Sequence, residues 1–176
     1  RDAINSRYKK FGYNFNIIDT AGIRKKNKVN KDIEYYSVLR SIRSIENSNV
    51  VLLLIDATRG FEAQDQKIFN LTLKNNKGIV LIVTKWDLID KTKMSTKEFS
   101  KKIKEKTAPF VDINIVFISA IEKTRILKVV DEAMGVYKRI GFRISTGELN
   151  KYLLELIQNT PPPSVKGKYV KIKYIT

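Results

Sequence analysis

The sequence predicts an α/β fold, in which helices cover both faces of a parallel sheet, and two observations support this. Three short apolar runs, residues 50–55, 79–83 and 113–118, are rich in leucine and β-branched residues and alternate little with polar ones. Strands that are buried on both faces of a parallel sheet have this pattern. Between the runs lie stretches with apolar residues three and four apart, the spacing of one helix face. Strand alternating with helix along a chain is typical of right-handed βαβ units.

The remaining elements of this first part can be placed in order. Residues 3–10 are polar and suit an edge strand, and residues 15–18 form a fourth apolar run. The helical spacing recurs in four segments, and helices are therefore predicted over residues 32–46, 62–75, 96–107 and 123–138.

The pattern changes near Gly141. Ser145 and Glu148 have the spacing of a capping box and begin a short helix, which the three prolines at 161–163 end. Residues 168–176 then alternate, which predicts a strand with one cationic face. One helix and one strand cannot close a core, so we expect a first domain over residues 1–141 and the start of a second, α+β domain over 142–176.

Composition excludes several kinds of chemistry. The chain has 176 residues with no Cys and no His, which excludes a thiol nucleophile, a Ser-His-Asp triad, a structural zinc site and a disulfide framework. No apolar run approaches the roughly 18 residues that a membrane span needs, and a cytoplasmic location is expected. Lys and Arg number 34 against 18 Asp and Glu, a net charge of +16, which favours a partner that carries phosphates.

Candidate binding residues follow three of the apolar runs, at the strand ends where open α/β sheets bind ligands. An Asp at such a strand end can hold Mg²⁺ through water, and a Gly three residues later lets a backbone N–H approach a terminal phosphate. In chain order the candidates are Asp19, Gly22, Thr84, Lys85, Asp87, Ser119 and Ala120.

Lys85 and Asp87 can divide a purine nucleotide between them. The Lys85 stem can lie along the base and ribose, while the Asp87 carboxylate accepts two N–H donors from one base edge. Guanine offers N1–H and its 2-amino group there, whereas adenine would leave the carboxylate unpaired, at roughly a few kcal/mol. A backbone N–H of Ser119-Ala120 can reach the guanine O6. Each short motif is common by itself, but their order and shared strand-end position indicate a guanine nucleotide site.

Five segments carry a resemblance to a known family. They are residues 16–26, 50–56, 64–66, 84–88 and 143–146, and the prolines and basic residues that follow agree with it. On these segments the chain resembles the EngA (Der) family of bacterial ribosome-assembly GTPases, which have two G domains followed by a KH-like domain. The resemblance covers essentially the whole chain, as the second G domain and the start of the KH-like domain. It implies a three-layer P-loop NTPase fold without its first strand and phosphate loop.

The resemblance also implies a function and roles for the candidate residues. The parent protein would bind GTP with Mg²⁺, hydrolyse it slowly, and act as a switch on the large ribosomal subunit and its rRNA, as a cytoplasmic monomer. Asp19 would hold Mg²⁺ through water and the Gly22 N–H would contact the γ-phosphate. Lys85 and Asp87 would hold the base, and Ser119 and Ala120 would complete its pocket. Thr84 would take part in nucleotide binding mainly by bracing the phosphate loop. Potassium use is implied by the family.

Three departures from the family pattern, and one residue that agrees with it, bear on activity. Thr84 stands where the family usually has Asn, and Lys123 lies near a position that usually holds glycine. Ile23 follows the Asp-x-x-Gly, where Ras-like GTPases have a water-orienting Gln; the resemblance implies a GTPase class with a hydrophobic residue there, so no catalytic residue is assigned. No Gly-x-x-x-x-Gly-Lys-[Ser/Thr] phosphate loop occurs in the sequence. We therefore expect this chain by itself to bind nucleotide poorly.

Two other functions fit the same residues. The chain could be a ribosome- or RNA-binding fragment without nucleotide turnover, which the basic residues Lys166, Lys168, Lys171 and Lys173 favour. It could also belong to a regulatory α/β protein that binds another anion. Trp86, next to Asp87, is predicted to pack in the core rather than to stack on a base.

Overall fold

The structure, a computed structural model, describes residues 4–10, 12–19 and 42–175. The chain divides into two compact units, residues 1–140 and 141–176.

The first two strands form a hairpin. Strand β1 (Ile4–Lys10) pairs antiparallel with β2 (Tyr13–Asp19), with Ile4 opposite Asp19. Gly12, in the connection, has a φ of +76°, a conformation that glycine adopts without strain. Among the described strands β2 pairs with β1 alone. The edge strand and the fourth apolar run are thus found as predicted.

Three parallel strands form the main sheet of the first unit. They are β3 (Val50–Asp56), β4 (Gly78–Thr84) and β5 (Asn114–Phe117), in the spatial order β3-β4-β5. The register places Asp56 opposite Thr84, so β3 and β4 end at the same level. Residues 78–83 of the central strand are all buried.

Helices connect and follow these strands close to the predicted segments. Residues 42–46 are the described part of a first helix (α1). The others are α2 (Ala63–Lys74), a short 3-10 helix (Trp86–Leu88), α3 (Thr96–Thr107), α4 (Ile126–Ile140) and, in the second unit, α5 (Thr146–Asn159). The Ser145 hydroxyl accepts the Glu148 N–H at the start of α5, as the capping pattern predicts. None of the described helices is long and apolar enough to cross a membrane.

The sheet has a hydrophobic core on each face. On one side, Leu53, Ile55, Leu81 and Val83 pack with Phe69 of α2 and with Phe99 and Ile103 of α3. On the other, Val80, Ile82 and Val116 pack with Val129 and Val136 of α4. Helices thus cover both faces of the sheet, and the predicted three-layer α/β architecture is confirmed.

Strand β3 departs from the expectation that all three apolar runs are buried on both faces. Leu53 and Ile55 lie in the core, but Leu52 and Leu54, which point to the other face, are 42% and 60% exposed. Helix α4 packs mainly on β4 and reaches only part of β3. The composition of a strand therefore shows that it is apolar but not which neighbour covers each face.

The predicted strand over residues 168–176 is wrong. Among the described residues of this segment there is only an isolated bridge, between Val165 and Lys168. A strand requires a neighbouring strand that hydrogen-bonds to its backbone N–H and carbonyl groups, and the described residues of the second unit contain no such strand. The Asn150 side chain does this for Ile175 instead: Asn150 Nδ2 donates to the Ile175 carbonyl at 2.8 Å, and the Ile175 N–H donates to Asn150 Oδ1 at 3.0 Å.

Candidate functional site

Thr84 joins the ends of the two neighbouring strands. As the last residue of β4, it donates from its hydroxyl to the Ile55 carbonyl of β3 at 3.0 Å. Its own carbonyl accepts the Ala57 N–H at 3.0 Å. Because its hydroxyl is occupied within the sheet, Thr84 fixes the position at which the chain leaves β4.

Lys85 turns the chain sharply and forms an ion pair. Its φ of +57° lies in the left-handed region, which is uncommon for a residue with a side chain. Its ammonium donates to Asp56 Oδ2, at the end of β3, at 2.6 Å. The other carboxylate oxygen of Asp56 accepts the N–H and the hydroxyl of Thr58, at 3.0 and 2.7 Å.

These contacts determine the charge state of Asp56. The hydrogen bond from Lys85, followed by that from the Thr58 hydroxyl, lowers the pKa of Asp56 from 3.8 to about 2. The Asp56 carboxylate is therefore ionised throughout the neutral pH range, and together with the Lys85 ammonium it forms a pair without net charge.

Trp86 and Asp87 begin the short 3-10 helix that follows. The Trp86 ring meets Phe117 and Phe99 edge-on, with ring centroids 4.6 and 5.5 Å away, so the prediction that it packs in the core is confirmed. The Trp86 N–H donates to the Ile118 carbonyl at 3.2 Å, which joins this turn to the end of β5. Asp87 is half-buried.

Ser119 organises the loop after β5. It is 1% exposed, and its hydroxyl accepts the Glu122 N–H at 3.1 Å. Its N–H donates to the Thr124 hydroxyl at 3.2 Å, and its carbonyl accepts the Thr124 N–H at 3.0 Å. Ala120, which follows it, is exposed. Lys123 and Arg125 both have left-handed backbones, with φ of +53° and +57°.

A cleft of about 340 Å³ lies between these two segments, which is in the size range of small-molecule sites. The aromatic ring of Trp86 contributes one part of its lining. Its lining also includes Phe117 and Ile118, together with the polar or charged residues Asp87, Lys91, Thr96, Ser119, Glu122, Thr124 and Arg125, and most of the lining surface is apolar. The cleft is therefore a largely apolar space bordered by residues of both charges.

The structure brings together some predicted site residues but not all. Asp87 and Ser119 line the same cleft, whereas Thr84, Lys85 and Ala120 do not contribute to its lining. Asp19 is the last residue of β2. Gly22 and Ile23 lie outside the described residues, as does the basic stretch that follows them. Within the described ranges no cluster of three or more His, Cys, Asp or Glu side chains could hold a metal ion.

Sequence reasoning missed two sets of residues at this site. Asp56 ends an apolar run, so the strand-end rule that selected Asp19 could have found it as well. Glu122, Thr124 and Arg125 were missed because their place in the cleft depends on the fold of the loop after β5.

Two family models match the chain. The elongation factor Tu GTP-binding domain matches residues 2–159. The KH-domain-like region found at the C-terminus of EngA bacterial GTPase enzymes matches residues 143–176.

Alignments with relatives named GTPase Der cover almost the whole of this chain. The protein of Flavobacterium psychrophilum is 54% identical over 99% of this chain, and that of Bacteroides thetaiotaomicron is 59% identical over 100%. The chain spans 40% of the length of each of these relatives.

Solved structures show the same fold. Era, in complex with MgGDPNP and a segment of 16S ribosomal RNA, superimposes with a TM-score of 0.65 and 25% identity, over 77% of this chain and 44% of that one. A probable GTP-binding protein engB has a TM-score of 0.64 at 18% identity, over 78% and 84% of the two chains.

Proposed function

Because the chain belongs to the elongation factor Tu GTP-binding domain family, we propose that it forms the guanine-binding part of a GTPase that acts in ribosome assembly. The observation that carries the proposal is that Asp87 and Ser119, which follow two different strands, line one cleft. In this site the Asp87 carboxylate accepts N1–H and the 2-amino group of guanine, and the backbone beside Ser119 and Ala120 meets the base O6.

Guanine selectivity follows from the hydrogen bonds that each purine can make. Adenine has no N–H at position 1 and no 2-amino group, so it would leave the half-buried Asp87 carboxylate without donors. A polar group left unpaired in a site is disfavoured by about 1–3 kcal/mol, which corresponds to roughly fivefold to somewhat more than a hundredfold in affinity.

The phosphate and metal end of the site is proposed from the resemblance to the family. Asp19 is a carboxylate of the type that holds Mg²⁺ through water, and the Gly22 N–H would approach the γ-phosphate. Bound Mg²⁺ neutralises charge on the phosphates. Potassium use and the absence of a water-orienting side chain at Ile23 belong to the same proposal. Because the sequence contains no phosphate-loop motif, we expect the isolated chain to bind nucleotide weakly.

A ribosomal partner is proposed from the charge and from the second unit. The net charge of +16 favours RNA, and Lys166, Lys168, Lys171 and Lys173 are all exposed within the stretch that matches the KH-like model. The solved complex of Era with ribosomal RNA supports the same class of partner. We propose the large ribosomal subunit and its rRNA as that partner, and a cytoplasmic monomer as the acting form.

The test is the exchange of Asp87 for Asn in the full-length gene product. Asn offers an amide donor where the carboxylate accepted the 2-amino group, which suits the 2-oxo group of xanthine. Titration with fluorescent GDP and XDP gives the ratio of the two dissociation constants. In the variant this ratio should shift in favour of XDP by about tenfold or more. Asp90→Asn is the matched control, since Asp90 does not line the cleft. If the Asp87→Asn variant kept the guanine preference of the parent protein, the proposal would be overturned.

An RNA-binding role without nucleotide turnover is the second candidate, favoured by the exposed lysines of the second unit. It predicts that the full-length product binds ribosomal RNA but shows no selective binding of GDP over ADP. Guanine-selective binding, measured in the same titration, would reject it.

A further inference from the structure

We propose that Asp56 is a positioning residue for nucleotide binding, which acts by holding the Lys85 ammonium at the end of β3. This inference rests on the proposed guanine site and adds to it a residue that belongs to none of its motifs. Lys85 is not among the residues that line the cleft, and its charged end is paired with Asp56 across the two strand ends.

The Asp56 carboxylate is itself held in place. The parallel register puts Asp56 opposite Thr84, directly before Lys85, so the two charged side chains leave neighbouring strands at the same level. One carboxylate oxygen accepts both the N–H and the hydroxyl of Thr58, which leaves the other for the Lys85 ammonium at 2.6 Å. The nearby cation Arg59 is paired elsewhere, with Glu62 at 3.0 Å.

Lys85 is therefore fixed at both ends of its side chain. Its backbone has the left-handed conformation, and its carbonyl accepts the Leu88 N–H at 3.1 Å, which closes the short turn. Its ammonium is fixed by Asp56. The four-carbon stem between these points is the part of Lys85 that the sequence predicts to lie along the base and ribose.

Fixing the stem before the nucleotide arrives should favour binding. A free lysine side chain loses rotamer entropy when it is ordered, and a preordered one loses less at the binding step. The Asp56 and Lys85 side chains are 25% and 56% exposed, so the pair is partly solvated and its effect is modest. A weakening of nucleotide binding by about twofold to fivefold is expected when it is lost.

The experiment is a double-mutant cycle with Asp56→Asn and Lys85→Met in the full-length gene product. Dissociation constants for fluorescent GDP are measured at fixed Mg²⁺ and salt, with competition by millimolar GDP for the weakest variant. Asp56→Asn should weaken GDP binding by about twofold to fivefold in the Lys85 background and have no further effect in the Lys85→Met background. The GDP-to-XDP preference of the Asp56→Asn variant should equal that of the parent protein.

Two further variants make the outcome specific. Thr58→Val removes the hydroxyl contact to Asp56 without changing any charge, and should weaken binding in the same direction by a smaller factor. Asp90→Asn removes a matched arrangement, in which Asp90 accepts the Thr92 N–H and hydroxyl and pairs with Lys93, and should leave GDP binding unchanged.

The outcomes separate this inference from the proposed function. Equal weakening by Asp56→Asn in both backgrounds, or none in either, overturns the positioning role while the guanine site stands. Failure of Asp87→Asn to move the purine preference overturns the guanine site itself. Unfolding midpoints of every variant, measured alongside, show whether weaker binding comes from lost stability rather than from lost positioning.

Discussion

The two walls of the cleft are built in different ways. One side is residues 84–88, here called the β4 turn, in which Trp86 and Asp87 line the cleft; the other side is residues 119–125, here called the β5 loop. The β4 turn takes its shape from backbone bonds to its neighbours, such as the Trp86 N–H to Ile118, and from the Trp86 ring beneath it. The β5 loop takes its shape from the side chains of Ser119 and Thr124 and from two left-handed residues.

This difference shows where side chains are free for a ligand. In the β4 turn, backbone hydrogen bonds to the neighbouring strands hold the conformation, so the Asp87 side chain is available to bind a ligand. In the β5 loop the buried Ser119 hydroxyl already accepts a hydrogen bond within the loop, so that side chain holds the loop rather than a ligand. Substitutions should therefore affect stability in the β5 loop and binding in the β4 turn, with Trp86 as the exception.

The largest expected effect is that of Trp86→Ala. Removing the ring takes away its edge-on contacts with Phe99 and Phe117 and leaves a gap under the β4 turn. The free energy of unfolding should fall by about 2–4 kcal/mol, since the ring is partly rather than fully buried. Urea unfolding followed by circular dichroism measures this. A loss below that of Ser119→Ala would mean that the ring does not anchor the turn.

Ser119→Ala should have the next largest effect. The Glu122 N–H would lose its acceptor in a part-buried loop, at about 1–2 kcal/mol of unfolding free energy. Ser48→Ala is the control, because Ser48 makes one part-buried hydroxyl contact, to the Ile45 carbonyl, away from the cleft. Equal losses for the two variants would contradict the special role given to Ser119.

Lys123→Gly should stabilise the protein. Lys123 has a φ of +53°, which glycine adopts without steric strain, so a gain of about 0.5–1 kcal/mol is expected after the added chain entropy of glycine. Lys128→Gly, within α4, is the matched control and should lose about 1 kcal/mol. A loss at both positions would show that the loop is not strained.

The smallest effect is the pH dependence that Asp56 contributes. Its pKa is about 2 in the folded chain and close to 3.9 when unfolded, so its contribution is full above about pH 5 and is lost as the pH falls through 4 toward 2. The stability difference between the parent and Asp56→Asn should be about 1 kcal/mol or less and constant from pH 5 to 8. Unfolding at a series of pH values tests this, and a difference that grows above pH 6 would contradict it.

Much of the local structure could be predicted from the sequence because it depends on neighbours in the chain. Helix α3 was predicted over 96–107 and is observed as Thr96–Thr107, begun by Ser95, whose hydroxyl accepts the Glu98 N–H at 3.2 Å. The central strand β4 was also predicted, because a continuous apolar run is typical of a strand that is buried on both faces. The strand-end rule also selected Asp87 and Ser119, which line one cleft.

The sequence by itself determined the elements, their order and the candidate residues at the strand ends, because these follow from the spacing of apolar and polar residues along the chain. Tertiary structure alone decided the rest. It joined Lys85 to Asp56, left Leu52 and Leu54 exposed, and left residues 168–175 without a ladder of strand pairs. Each of these outcomes depends on which groups from distant parts of the chain come to lie side by side, and local spacing carries no information about that.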